Sequence, residues 1–364
     1  MLLSDHERDR RWASTHDLIE RHELDAVVVR GTPDANGHLR YLSLFVPLTD
    51  SVAFVLFRDG RNVLVVTDGV QAYFAEKTSW ATEIRIGAVG VELALCLCDA
   101  GVARVGVAGP EGLPQPWLDE LRASCSPEDV VDVGDQLTEL RWVKSAEEIA
   151  LVRQSCDAAN QVFAQAREVV RSGRRAYEVL ADLDHILRLR GCERSFNLII
   201  PLPDAPFDRS PSPQVLGKGD VFILEASPQF GGYYSQLTTV VSMGLAENAL
   251  RSAFDAGVEA RSVVEPCLVP GADLADISRE VAAELRQRGY EMRSPDIGHL
   301  CGLELAEPRV GGASLELRAG MVLIFHPVVT DPRYRFVMRG DTYLIHEGGA
   351  ERLTSHPTEL QECA

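Results

Sequence analysis

The sequence has no apolar run near the length that spans a bilayer, and its opening, MLLSDHERDRRW, lacks the positive start and apolar core of a signal peptide. Both absences point to the cytoplasm and away from a membrane. Basic charge is also short, with 36 Lys and Arg against 54 Asp and Glu, a net of -18. Such a surface repels nucleic acid and anionic membrane over most of its area, so neither is expected as a partner, although local arginines can still hold an anionic small substrate. The eight cysteines show no framework of regular spacings, which excludes a disulfide scaffold. Cys96 and Cys98 form a CxC in the apolar helical run VELALCLCDAG, where no second Cys or His pair completes a zinc set. They read as buried small hydrophobes.

What is present is ordinary for an enzyme-sized globule: 364 residues, 46% apolar and 25% charged. That length exceeds one ordinary core and suggests two domains. Residues 4–22 carry a helical pattern, Asp25 to Arg30 is a β-branched strand, and GTPDANGH reads as a loop. Strands Ser51 to Phe57 and Asn62 to Thr67 join through RDG. Helices near Val70 to Glu76, Val91 to Ala100 and Pro114 to Ala123 then alternate with strands Val102 to Val107 and Asp129 to Val133. That alternation predicts a mixed sheet covered by helices.

A boundary near 135–145 divides the chain into 1–140 and 141–364. After the basic, aromatic connector RWVK, Ser145 and Glu148 form a capping box that opens a helix through about Val170. A helix over Ala176 to Arg190 follows, and then IIPLPDAPFDRSPSPQ, whose five prolines require a loop over part of its length. The hairpin GDVFILEASPQFGGYYSQLTTVVSMG comes next, then helices Ala246 to Val263 and Ala272 to Arg288, and strands Met321 to Phe325 and Asp341 to His346. Helix pair, strands, helix pair, strands is the order of an α+β domain whose two halves repeat one architecture.

Four segments of this second domain place polar groups in apolar, strand-like surroundings. They are Glu225 and Gln236 on the hairpin, His299 with Glu304 and Glu307 in GHLCGLELAEP, His326 in VLIFHP, and Arg339 with Asp341 in MRGDTYLI. Taken singly, a core histidine or a paired acid explains each, but four together point to one shared site. Strand alternation splits Tyr233 from Tyr234, one toward the core and one toward the site.

The segments GDVFILEASPQFGGYYSQLTTV, GHLCGLELAEP, GMVLIFHP and RGDTYLIHEGGAERLT resemble, in that order, the four signature segments of the creatinase, aminopeptidase P and methionine aminopeptidase superfamily. LRWVKSAEEIALVR resembles the segment that opens its catalytic domain. LDAVVVRG and HLRYLSLF extend the resemblance into a creatinase-like N-terminal domain. It implies a pita-bread α+β domain preceded by a smaller α/β domain, in a homodimer. It also implies five metal-binding side chains for two ions, at the positions held here by Glu225, Gln236, His299, His326 and Gly340, and a catalytic glutamate at Glu307. Ala306 stands where a histidine is expected. With an amide at 236 and no side chain at 340, the usual two-metal centre is not expected.

Three readings follow. The first is a creatinase-like enzyme that acts without metal on a small amino-acid-like or carboxylate-bearing metabolite, most simply by C–N hydrolysis. His299 or His326 would carry the proton, and Glu225 would orient or share it. The creatinase hairpin acid falls on Thr238, and its histidine falls near Phe207 and Asp208. Substrate contacts would come from Tyr234, Gln236, Asp208 and Asp341, with Arg209, Arg309 or Arg339 on a carboxylate and a loop such as 40–50 donated by a partner subunit. The same groups suit a lyase, decarboxylase or isomerase. The second reading is a single Fe, Zn or Mn ion on Glu225, His299 and His326. The third is a non-catalytic peptide- or protein-binding module.

Overall fold

The computed structural model describes residues 3–108, 113–124, 129–203, 213–307, 314–355 and 359–364. The chain divides into two compact units, Met1–Arg141 and Trp142–Ala364. The first contains a six-stranded sheet in the order Glu83–Ile86, Asn62–Val66, Val52–Phe57, Ala26–Gly31, Arg104–Val107 and Asp129–Asp132. Its central strands, AVVVRG and VAFVLF, are buried nearly throughout, as their unbroken β-branched and aromatic runs predict for strands covered on both faces. The pairing is mixed, antiparallel between Ala26–Gly31 and Val52–Phe57 and parallel between Ala26–Gly31 and Arg104–Val107. Two elements differ from the sequence reading. The end of GTPDANGH starts a helix, Gly37–Ser43, and the connector RW ends another, Gly134–Trp142. Strand Glu83–Ile86 was not foreseen either, because its charged, half-exposed pattern marks an edge.

The second unit repeats one plan twice. Helices Ala146–Val169 and Ala176–Leu189 accompany a four-stranded sheet (Gln361–Cys363, Leu237–Met243, Val221–Ala226, Leu198–Leu202) and a three-stranded one. Helices Asn248–Val264 and Leu274–Gln287 accompany a second four-stranded sheet (Gly298–Leu300, Val322–Phe325, Asp341–His346, Gly349–Arg352) and its own three-stranded one. The capping box forms as the sequence predicts. The Ser145 side chain accepts from the Glu148 amide at 3.2 Å, and Glu148 Oε2 accepts from the Ser145 amide at 2.8 Å. Glu148 Oε1 also accepts the Tyr233 hydroxyl at 2.7 Å, which ties the helix start to the hairpin. Pro201 lies in Leu198–Leu202, an edge strand, where its missing N–H costs no ladder bond.

The two four-stranded sheets meet through an isolated bridge. The Thr238 amide donates to the Gly340 carbonyl and the Gly340 amide to the Thr238 carbonyl, both at 3.0 Å. Beside it, Thr342 Oγ1 accepts from the Gln236 amide at 3.0 Å and donates to the Gln236 carbonyl at 2.8 Å. Glu225 and Gln236 on one side and His326 on the other lie next to this seam.

Candidate active site

Glu225 faces Thr238 across the antiparallel pair of Val221–Ala226 with Leu237–Met243. Its side chain is buried, and the groups bonded to it are all neutral. Ser227 Oγ donates to Oε1 at 3.4 Å, Thr238 Oγ1 donates to Oε2 at 3.4 Å, and Gln236 adds a side-chain hydrogen bond. Gln236 Nε2 also donates to Thr238 Oγ1 at 3.3 Å. Burial pushes the Glu225 carboxyl up to about 7, against the downward pull of Gln236, Ser227 and Thr238.

His299 and His326 come from two strands of the other sheet. His299 pairs with Ile324 in the Gly298–Leu300 to Val322–Phe325 ladder, and the His326 amide donates to the Ile297 carbonyl at 2.8 Å just past its end. The two imidazoles touch edge to face, with ring centroids 5.2 Å apart. Gly298 permits this approach. It holds φ at +148°, and a Cβ there would lie 1.9 Å from the Ile324 carbonyl oxygen. His299 and His326 are half-buried, as is Tyr234, whose amide donates to the Gly302 carbonyl at 2.8 Å. Tyr233 is the buried member of that pair, as alternation predicts.

Gly340 lies between the hairpin and the imidazoles. A Cβ on it would meet His326 Cβ at 2.8 Å and the Thr238 side chain at 3.4 Å. His326 and Thr238 thus already occupy the space that a side chain at 340 would enter. Among the described residues, no group of three or more His, Cys, Asp or Glu side chains gathers as a metal ion requires. Neutral hydroxyl and amide bonds hold the Glu225 carboxylate on its own hairpin.

The remaining sequence-predicted residues are placed differently. Glu307 is buried in an ion pair with Lys144 Nζ at 3.2 Å, and its other oxygen accepts the Glu304 amide at 3.0 Å. Those bonds brace the GLELAE turn. Arg339 and Asp341 are buried against each other, with Arg339 Nε 3.1 Å from Asp341 Oδ2. Asp341 also takes Arg261 Nη2 at 2.7 Å and the Thr354 hydroxyl at 2.7 Å. Burial acts to raise the Asp341 carboxyl, but these partners outweigh it and hold it at about 2. Arg339 and Asp341 thus form a buried pair that fixes the strand entering at Asp341. Phe207, Asp208, Arg209 and Arg309 lie outside the described residues. Sequence reading missed Ser227, Lys144 and Arg261. Arg261 had a signal, since it follows Leu250, Phe254 and Gly257 at helical spacing on the core-facing stripe of Asn248–Val264.

Residues 150–347 match metallopeptidase family M24. The chain is 28% identical over 273 residues to the Xaa-Pro dipeptidase of Pyrococcus horikoshii, covering 71% of this chain and 75% of that one. It is 25% identical over 341 residues to the uncharacterized peptidase YqhT of Bacillus subtilis, covering 89% and 96%. The crystal structure of the prolidase from Pyrococcus horikoshii OT3 superposes with a TM-score of 0.86 at 22% identity, over 96% of this chain and 99% of that one. Its architecture is the one described above, a smaller α/β domain followed along the chain by a pita-bread domain. The two-fold repeat of helix pair and sheets, the ordered site segments and the match over more than half its length together show that this chain belongs to metallopeptidase family M24.

Proposed function

We propose that the protein is a C–N hydrolase of short peptides or peptide-like amides that works by acid–base chemistry in place of the family's two-metal centre. The residues present do not suit such a centre. Gln236 offers a neutral amide already engaged with Thr238 and Glu225, and the space around Gly340 is taken by His326 and Thr238. The observation that carries the proposal is the Glu225 carboxyl, buried among neutral donors at a pKa of about 7, across Thr238 and Gly340 from the paired imidazoles. The relatives named Xaa-Pro dipeptidase favour a peptide over the free carboxylate-bearing metabolite expected from the sequence.

In this reading the Glu225 carboxylate takes a proton from water, and the oxygen adds to the amide carbonyl. The His299–His326 pair, protonated once, gives its proton to the leaving nitrogen as the C–N bond breaks. Glu225 then releases its proton to solvent, solvent restores the proton of the pair, and each group contributes on the order of 10²–10⁴-fold. The test is turnover of a dipeptide panel, with and without proline in the second position, by protein stripped with chelator. Turnover that survives chelation and falls at least about 10²-fold in both Glu225→Gln and His326→Ala is expected. Turnover that disappears on chelation and returns with a divalent ion would overturn it. No turnover of any substrate would favour the binding-module reading instead.

A further inference from the structure

At the seam, one strand changes partners. Thr238 and Gly340 are paired as antiparallel neighbours, and the same register two residues on would set Gln236 against Thr342. The Thr342 backbone is turned elsewhere: its carbonyl accepts from the Leu353 amide at 2.8 Å, and its amide donates to Thr354 Oγ1 at 3.3 Å. Gln236 in turn stands one residue ahead of the hairpin ladder, which begins at Leu237 opposite Ala226. Its main-chain N–H and C=O are both bonded to one side-chain atom, Thr342 Oγ1, at 3.0 and 2.8 Å. A hydroxyl carries one proton and two lone pairs, so it can stand in for a whole backbone pair.

The consequence lies in what Gln236 carries. Its carboxamide bonds both Glu225 and Thr238 Oγ1, so the main chain at 236 decides where that carboxamide lies against the carboxylate. Thr342 and Gln236 are 0% and 4% exposed, which leaves the Gln236 main chain dependent on the hydroxyl rather than on solvent. β-Branching holds Thr342 to few rotamers and keeps Oγ1 aimed at residue 236. We propose that Thr342 is a positioning residue of the site: its hydroxyl fixes Gln236, and through Gln236 the Glu225 carboxylate, relative to the strand that begins at Asp341. This role rests on the reaction proposed above, in which Glu225 is the base, and it requires no contact between Thr342 and substrate.

The test compares the full chain with Thr342→Val and Thr342→Ser on the dipeptide that the parent turns over best. Valine keeps the shape of threonine but leaves both Gln236 main-chain groups without their partner, a cost that drives residue 236 to a new position. A misplacement of about 1 Å can cost on the order of 10²-fold, so kcat of Thr342→Val is expected to fall about 10–10²-fold while KM stays within about twofold of the parent. Serine restores the hydroxyl and should bring kcat back to within about threefold. Hydrogen exchange at the Gln236 amide should quicken at least about tenfold in the valine variant and keep the parent's rate in the serine variant. A valine variant with the parent's kcat would overturn the proposal, as would a rise in KM that matches the fall in kcat. So would a serine variant more than about tenfold slower than the parent, an arm that decides the question even if the valine variant does not fold. No turnover by the parent would instead remove the reaction itself, and this role with it.

Discussion

A carboxyl group whose bonded partners are all neutral is costly to ionise inside a protein, and Glu225 is held in that way by Ser227, Thr238 and Gln236. With an ordinary value of 4.5 and a folded value of about 7, it takes up its proton more readily when folded. The stability this contributes is fully present below pH 4.5 and is lost as the pH rises through about 7, a span worth about 3 kcal/mol. Glu225→Gln removes the ionising group. The variant is expected to gain stability over the parent at pH 8 and to match it near pH 4, as measured by urea unfolding at both values. An equal effect at both would show that Glu225 does not titrate as described. Asp341 behaves oppositely. Its folded value of about 2 lies below its ordinary 3.8, so its contribution is present above 3.8 and lost as the pH falls toward 2.

At the scale of elements, the turn after His299 is held by one ion pair across 163 residues of chain, Lys144 to Glu307, with both side chains almost wholly buried. Removing one partner leaves an uncompensated charge in the interior. Lys144→Met is therefore expected to destabilise the protein by about 3–5 kcal/mol. Lys144→Met combined with Glu307→Leu should recover much of that loss, because replacing both charges with apolar groups removes the desolvation cost along with the attraction. Denaturant titration of both variants measures the difference. If Glu307 instead contacted substrate, Glu307→Gln would lower turnover without the stability loss.

For the whole molecule, a net charge of -18 sets the long-range behaviour. No mobility shift of duplex DNA is expected at low salt, where electrostatic attraction would be strongest. Among the described residues no helix is long and apolar enough to cross a membrane.

Much of the architecture was legible in the sequence because local physics writes it there. Helix Ala146–Val169 announces itself by Ser145 and Glu148, strand Asp341–His346 by its apolar run, and the repeated order of helix pairs and strands implies the two halves. Helix Gly37–Ser43 was hidden because its loop-like opening, ANGH, carries no side-chain cap. The hairpin over residues 219–244, with its buried Glu225 and Gln236, was likewise visible as a strand pair with polar groups where apolar ones belong.

The tertiary structure decided what those polar groups do. Whether Arg339, Asp341 and Glu307 face substrate or one another depends on which distant segment each meets, and no local pattern encodes Lys144 opposite Glu307 or Arg261 opposite Asp341. The bridge of Thr238 with Gly340 sets the space at 340, and the fit of His326 into it depends on the meeting of two sheets that the sequence keeps about a hundred residues apart. Residue types, periods and caps are local and can be read in order. Register, burial and the pairing of charges arise only when the two halves close on each other.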